Sequence, residues 1–271
     1  MKPAVFEFIR ATSISEASRI LSQSRDARIV AGAQSLGPML NLRLAQPRVL
    51  IDITGIKELT RIADDGDAVT IGACVTTANI EDGRLPGRGL EILISVAAKI
   101  AYRAVRNRGT IGGSLCHADP AADWVSLLSA LHADCIIANS KGQRRLRADE
   151  FVTGAYENAL EANELLEAIR VPRLSSRGRC GYYKINRKVG EFALAIGAVL
   201  IDPDRGLSRA VIGAGKGRPI VFADMSEFCR NDGTLDEAAF SRALDSKGIT
   251  DRIDRRQKLA AFKRAYDQVA A

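Results

Sequence analysis

The chain has 271 residues, 46% hydrophobic, 26% charged and 5% aromatic, with a formal net charge of +7 at pH 7. That length can bury a large core and favours one to three domains. No segment reaches the length of a membrane span, and Met1–Phe8 lacks the apolar stretch of a secretion signal. The cysteines Cys74, Cys116, Cys135, Cys180 and Cys229 never form a Cys-x-x-Cys pair. This argues against disulfide, zinc and iron–sulfur frameworks and for a reducing cytoplasm.

Ser13 can cap a helix over 13–24 whose Ile14, Ala17, Ile20 and Leu21 share a face. Short buried strands are expected at 27–31 and 48–53, giving a β-α-β unit over about 1–56 that Gly55 closes. Between these strands an apolar run breaks into the small-residue turn Ala31-Gly32-Ala33-Gln34-Ser35, and Pro38 suits the first turn of a short helix. Val69, Ile71, Ala73 and Val75 alternate as a strand, and 89–103 reads as a helix.

The stretch Thr110-Ile111-Gly112-Gly113-Ser114 follows. Adjacent glycines let a backbone approach a ligand where a Cβ would clash and permit positive φ. Successive N–H groups in such a turn form an anion-binding concavity. Asp119 and Pro120 then read as the N-cap and first residue of a helix whose apolar face is Trp124, Leu127, Leu128 and Leu131.

Strands are expected at 134–138, 143–147 and 164–171, a linker over 172–181, and further strands at 180–187, 193–202 and 207–213. Helical patterns over 235–246 and 254–270 complete a second domain of α+β type. Gly213-Ala214-Gly215-Lys216-Gly217 lacks phosphate-loop spacing and reads as a hairpin or strand-end turn.

The basic balance suggests an anionic ligand, an acidic partner or nucleic acid, and Arg103, Arg106 and Arg108 before the glycine pair suit phosphate. The run Arg252, Arg255, Arg256, Lys258, Lys263 and Arg264 reads as a solvated face. No aromatics interleave with these charges, as a nucleic-acid stacking platform requires. Only two histidines are present, His117 and His132, which thins the case for a metal cluster or a Ser-His-Asp triad. His132 reads as structural or surface, and His117 as a polar residue near a ligand.

Several blocks together resemble a known family: Ala31–Leu36 with Pro38-Met39-Leu40, Leu50–Ile53, Val105–Ser114 and Ala118–Asp123, then Tyr183-Lys184, Arg187, Gly190, Phe192 and Ala193. Over essentially the whole chain, and in order, they resemble the FAD-binding medium subunit of the molybdenum hydroxylases. That family includes the FAD subunit of aerobic carbon monoxide dehydrogenase and the FAD domain of xanthine dehydrogenase. The resemblance implies an α+β fold. Its first part is an FAD-binding domain of the vanillyl-alcohol-oxidase type over 1–175, in two α+β subdomains of about 1–56 and 57–175. A C-terminal domain of a three-stranded antiparallel sheet with a helical bundle then spans 176–271.

Carried over by position, Ile29, Val30, Ala31, Gly32, Ala33, Gln34, Ser35 and Leu36 would wrap the diphosphate. Thr110, Ile111, Gly112, Gly113 and Ser114 would approach diphosphate and ribityl from the other side, with Ile111 also near the isoalloxazine. Asp123 would bond a ribose or ribityl hydroxyl. Leu166 and Lys184 would contact the flavin or its adenine end, Ile100 would also touch the cofactor, and Tyr183 or Tyr182 would lie beside the isoalloxazine. The resemblance gives this chain no catalytic residue and no metal ligand.

The implied role is an electron-transfer subunit. Electrons would come from two 2Fe-2S clusters on a small subunit, after oxidation of substrate at a molybdenum cofactor on a large subunit, and would leave to an external acceptor. The implied assembly is a cytoplasmic dimer of heterotrimers, without nucleic acid or a membrane span.

Three positions depart from the family pattern. Ala33 replaces the usual second glycine. Gln34 stands where relatives often have histidine, which implies dissociable FAD. Glu191 stands where relatives often have Asp. The alternatives are a stand-alone nicotinamide- or flavin-dependent oxidoreductase and a basic nucleic-acid-binding module. For a Rossmann fingerprint, Gly32 and Gly37 have the wrong spacing.

Overall fold

Ser13 starts the first helix as its context predicts, its hydroxyl accepting the Glu16 N–H at 3.2 Å. In this computed structural model, which describes residues 2–230 and 233–270, the first unit comprises β1 (Glu7–Arg10), α1 (Ile14–Gln23), β2 (Ala27–Val30), α2 (Leu36–Asn41) and β3 (Val49–Asp52). The strand order is β1-β3-β2, with β3 parallel to both neighbours. Parallel pairing needs a crossover between strands, which α1 and α2 supply. Ser18 on α1 donates to the Asn163 carbonyl at 2.8 Å and ties this unit to the next.

The second unit continues with α3 (Lys57–Thr60), β4 (Ile62–Asp64), β5 (Ala68–Gly72), α4 (Thr77–Glu81), α5 (Glu91–Ala97), α6 (Arg103–Arg106), α7 (Ile111–His117) and α8 (Asp123–Ala130). After these come β6 (Asp134–Asn139), β7 (Gly142–Arg147), α9 (Ala148–Phe151), β8 (Val152–Gly154), β9 (Glu157–Asn158) and β10 (Leu165–Pro172). Its antiparallel sheet has the order β4-β5-β10-β6-β7.

Two helices differ from expectation here. The helix expected over 89–103 ends at Ala97 as α5, and the chain then turns, with Ala101 left-handed (φ 44), before α6 begins at Arg103. The freed carbonyls of Ile100 and Ala101 accept from Arg106 Nη1 at 2.9 and 3.0 Å. The helix expected from Pro120 starts instead at Asp123. Asp119 Oδ1 accepts the Ala121 N–H at 2.9 Å, and this Asx-type bond holds 119–121 as a turn. Every residue of α8 is buried, because the helix is wedged between the second and third sheets rather than lying on one of them.

The third unit has β11 (Arg179–Ile185), β12 (Ala195–Asp202), β13 (Leu207–Gly213), β14 (Ile220–Phe222), α10 (Glu237–Ser246) and α11 (Arg252–Tyr266). Its sheet has four strands, β11-β12-β13-β14, not the three expected. The added strand pairs Ile220–Phe222 with Ala210–Ile212, and three residues are too few to reveal a period of two. The 213–217 turn joins β13 to β14, with Ala214 left-handed (φ 59). Phe222, Phe228, Phe240 and Phe262 fill the core, Phe240 and Phe262 stacked at 4.1 Å.

The expected solvated basic face on α11 is only partly that. Lys258 is fully buried, pairing with Asp254 and donating to the Ala214 carbonyl. Arg264 lies over the Tyr183 ring, 4.8 Å from its centroid. Among the described residues no helix is long and apolar enough to cross a membrane.

Helix α11 sits directly on the backbone of β11 and β12. A Cβ at Gly197 would lie 2.5 Å from the Ala261 carbonyl oxygen, and one at Gly181 2.0 Å from that of Ala265. Gly197→Val is expected to lift α11 off the sheet at a cost of about 1–3 kcal/mol. A lower urea midpoint with an unchanged slope is the measurement that checks it.

Candidate functional site

Where β1, β2 and β3 end, a cleft of about 600 Å³ opens against the second unit. Ligands of sheets with parallel strands commonly sit outside the carboxyl ends of those strands. Phe8 and Arg10, then Val30 to Ala33, then Asp52 and Thr54 form one wall; Thr76, Asn79, Asn107, Arg108 and Thr110 are on the other. The structure therefore brings Val30, Ala31, Gly32 and Ala33 together with Thr110.

Gly32 closes the base of this cleft. A Cβ there would lie 2.0 Å from the Arg108 carbonyl oxygen, so main chain meets main chain at that point. Gln34 Nε2 folds back onto the Gly32 carbonyl at 3.0 Å, and Ala33 takes φ 59. The backbone N–H groups of Gly32, Ala33, Gln34 and Ser35 meet no acceptor among the described residues. Consecutive free N–H groups around a left-handed residue make an anion cradle.

The Gly112-Gly113 pair does different work from that expected. It is the first turn of α7, capped by Thr110, whose hydroxyl accepts the Gly113 N–H at 3.0 Å. Ile111 N–H donates to the Val75 carbonyl at 3.1 Å and Gly112 N–H to that of Ala73 at 3.0 Å. Neither glycine has positive φ. A Cβ at Gly112 would lie 2.4 Å from Ala73 Cβ, so its lack of a side chain lets α7 dock against the protein's own chain. Ile111 and Gly112 are buried, and Gly113 and Ser114 half-buried.

Of the three arginines expected to serve phosphate, two are engaged elsewhere. Arg106 grips Glu81 bidentately at 2.7 and 2.8 Å, and Arg103 bridges Glu81 and Asp82 at 2.7 Å each. Only Arg108 lines the cleft. Asp52, which lines the same cleft, accepts from Thr54 Oγ1 at 2.6 Å and from Arg10 Nε at 3.0 Å. Burial pushes its carboxyl up, but the Thr54 bonds and Arg10 outweigh this and hold it below its ordinary value. Burial, aided by Asp52, pushes the Cys74 thiol up to about 12, so it is protonated at neutral pH.

A second group lies apart from the cleft. Tyr182 Oη donates to Asp123 Oδ1 at 2.8 Å, and Lys184 Nζ to Asp123 Oδ2 at 3.0 Å and to the Lys99 carbonyl at 3.2 Å. Burial pushes the Asp123 carboxyl up against the opposing pull of Lys184 and Tyr182, and the Tyr182 phenol well above its ordinary value.

Tyr182 and Lys184 share one face of β11; Tyr183 faces α11. Leu166 is buried in the core on β10, beside the bulge between Leu166 and Ala168. Ile100 lies in the α5–α6 connection, half-buried beside the Lys99 carbonyl that Lys184 reaches. Ile29 lies within β2, and Gln34, Ser35 and Leu36 continue the loop out of the cleft. His117 ends α7, its ring 5.2 Å from that of Tyr156. Sequence reasoning missed Phe8, Arg10, Thr76 and Asn79; the first two lie on β1, a strand it did not place.

Fold and cleft define a dinucleotide-binding α+β protein with an appended α+β unit. Residues 4–174 match the family described as the FAD binding domain in molybdopterin dehydrogenase. The carbon monoxide dehydrogenase medium chain of Hydrogenophaga pseudoflava is 39% identical over 202 residues, 74% of this chain and 70% of that one. Caffeine dehydrogenase subunit beta of Pseudomonas sp. (strain CBB1) is 36% identical over 203 residues, 74% of this chain and 69% of its own. Among solved structures, carbon monoxide dehydrogenase from Hydrogenophaga pseudoflava lacking the Mo-pyranopterin moiety of the molybdenum cofactor superposes with a TM-score of 0.88 at 31% identity. The match covers 99% of this chain and 98% of that one. The chain belongs to the FAD-binding medium subunits of the molybdenum hydroxylase family, and is an oxidoreductase subunit of that family.

Two outcomes are expected. Left-handed Ala33 is strained where glycine is not, so Ala33→Gly should stabilise the chain by about 1 kcal/mol, read as a higher urea midpoint. Secondly, the Arg106 guanidinium holds the Glu81 carboxyl below its usual 4.5. A depressed carboxylate contributes stability above the unfolded-state value and loses it as pH falls through the folded one. Glu81→Gln should therefore flatten the loss of stability below pH 4.5, measured by urea titrations at stepped pH.

Proposed function

We propose that this chain is the FAD-binding electron-transfer subunit of a heteromeric molybdenum hydroxylase. In this reading electrons arrive from 2Fe-2S clusters on a small partner subunit, and a molybdenum cofactor on a large one oxidises the substrate. The electrons leave this chain to an external acceptor, and the assembly is a cytoplasmic dimer of heterotrimers. Residues 1–175, in subdomains of about 1–56 and 57–175, form the FAD-binding domain and 176–271 the C-terminal domain. Support for a multi-subunit setting comes from the names of the relatives, a medium chain and a subunit beta.

The observation that carries the reading is the run of unpaired N–H groups at 32–35, on a loop whose Gly32 a Cβ would force apart. A diphosphate is the dinucleotide's anionic centre, and neutral backbone donors fixed around it satisfy its oxygens without side-chain ordering. Ile29 to Leu36 would hold this diphosphate. Thr110 to Ser114 would form the far side of the site, with the Thr110 hydroxyl free to donate while it accepts from Gly113.

Asp123 and Lys184 would offer a carboxylate acceptor and an ammonium donor to the ribityl and ring polar atoms. Ile100, Ile111 and Leu166 would supply apolar contact. Strand alternation favours Tyr182 over Tyr183 as the tyrosine on the Asp123 side. Gln34 carries no nucleophile for a flavin bond, which supports dissociable FAD. When bound, FAD supplies the redox chemistry, and the protein supplies position and electrostatics.

The test is the visible spectrum of the purified chain, alone and with its partner subunits, and the identity of the released cofactor. A flavin band with FAD in the supernatant after denaturation is expected. Gly32→Val is expected to abolish retention while circular dichroism stays folded. A well-folded, partner-complete assembly without flavin would sink the reading.

A further inference from the structure

Away from the cleft, where the second unit meets the third, a separate cavity of about 240 Å³ lies just beyond the end of α8. His132, Arg147, Arg170 and Arg205 line it with polar groups, and Leu131, Leu174, Leu200 and Leu207 give it an apolar wall. None of these residues lines the cleft.

Hydrogen-bond donors are in surplus here. A guanidinium carries five N–H donors. Arg205 approaches Asp202 only to 3.9 Å and makes no hydrogen bond among the described residues; both oxygens of Asp202 accept from Ser175 instead. Arg170 makes one hydrogen bond, from Nη2 to Asp67 at 2.8 Å. Arg147 uses Nη1 alone, on Asp134 at 2.7 Å and on the His132 carbonyl at 3.1 Å. The His132 imidazole also meets no hydrogen-bond partner among the described residues. Burial, with Arg209 and Arg147 nearby, pushes it below its ordinary value, so it is neutral at pH 7 and offers one donor and one acceptor. Its backbone is left-handed (φ 56), which is uncommon outside glycine.

We propose that this cavity is a second binding site, for a small organic carboxylate, with Arg205 and Arg170 holding the carboxylate, the four leucines covering its carbon body and His132 completing the polar contacts. This goes beyond the flavin reading and does not rest on it.

An anion is favoured because the unused groups are guanidinium N–H donors, whereas the three aspartates of the lining are engaged by Ser175, Arg147 and Arg170. Paired guanidinium N–H groups match the two oxygens of a carboxylate. An inorganic oxyanion gains nothing from the leucine wall, whereas a carbon body is buried against it. Drug-sized ligands fill pockets of about 300 Å³ or more, so this smaller cavity fits a single ring or a short chain. Seams between units are favoured places for such sites.

The experiment titrates acetate, butyrate and benzoate into the full-length chain, with benzamide and inorganic phosphate alongside, by calorimetry and by NMR of the histidine ring protons. The chain has two histidines, and His117 ends α7 outside this cavity. His132→Asn, which tolerates a left-handed backbone, assigns the signals. Benzoate is expected to saturate, moving the His132 signals and leaving those of His117 in place. Affinity is expected to rise from acetate to butyrate by about fourfold per added CH₂. Arg205 is exposed on the short turn between β12 and β13, so Arg205→Gln is expected to stay folded by circular dichroism while weakening benzoate by about tenfold. Arg205→Lys is expected to recover only part of that loss.

Benzoate that leaves the His132 signals unmoved, or that binds Arg205→Gln as tightly as wild type, overturns the site. Benzamide binding as tightly as benzoate overturns it too, because charge then plays no part. Phosphate binding more tightly than benzoate overturns the organic class. The flavin reading stands in each case, since none of these side chains lines the cleft.

Discussion

The Gly32 main chain rests on the Arg108 carbonyl, and the rest of the site depends on that contact. Where a side chain would need its Cβ 2.0 Å from that oxygen, the two α+β units instead touch backbone to backbone. The partner segment is itself pinned. Thr77 N–H donates to the Gly109 carbonyl at 2.8 Å, Thr76 and Thr110 pair as an isolated bridge, and Gly112 seats α7 against Ala73. Cleft width is thus set by main chain on both sides, and the free N–H groups of the loop are fixed before any ligand arrives, which lowers the ordering cost of binding.

A different problem is solved where the second and third sheets share α8. A helix buried all round has no solvent face for charge, yet it begins with Asp123. Burying a lone carboxylate is costly, and both its oxygens are met from β11, by Tyr182 and Lys184. Such a pair is weak evidence for stability, since a well-packed apolar pair of similar volume often does as well. Removing either partner alone leaves the other buried and uncompensated. The group therefore couples the C-terminal sheet to the helix that follows the Gly112-Gly113 turn more than it strengthens either.

The sequence made the parallel β-α-β unit legible through short β-branched runs, and the Ser13 cap through its spacing. It pointed to both glycine segments but misjudged how the second is built. Gly112-Gly113 has the composition of a ligand loop, whereas its N–H groups are bonded within the chain; local composition does not record which partner a backbone meets. The Ala33 departure becomes intelligible only from its φ of 59, a position where glycine is unstrained. Asp119-Pro120 carried a valid helix-start signal that an Asx-type turn overrode. Strand Ile220–Phe222 was too short to see, and Phe8 was invisible as a site residue because its meaning lies in facing a cleft made by distant segments.

Charge makes the same point about distance. A surplus of seven positive charges invites the expectation that cations hold the anionic ligand. The structure instead spends many of them on carboxylates: Arg103 and Arg106 on Glu81, Arg144 on Glu164, Arg209 on Asp149, Lys184 on Asp123. At the cleft Arg10 is bound to Asp52, and the donors that the proposed diphosphate would meet are neutral amides held by main-chain geometry. Ammonium and guanidinium groups on long side chains must be ordered to bind and are screened by salt when exposed. Peptide N–H groups fixed by a buried glycine contact are ordered in advance, and in the proposed reading Gly32, rather than any arginine, is therefore the residue on which recognition turns.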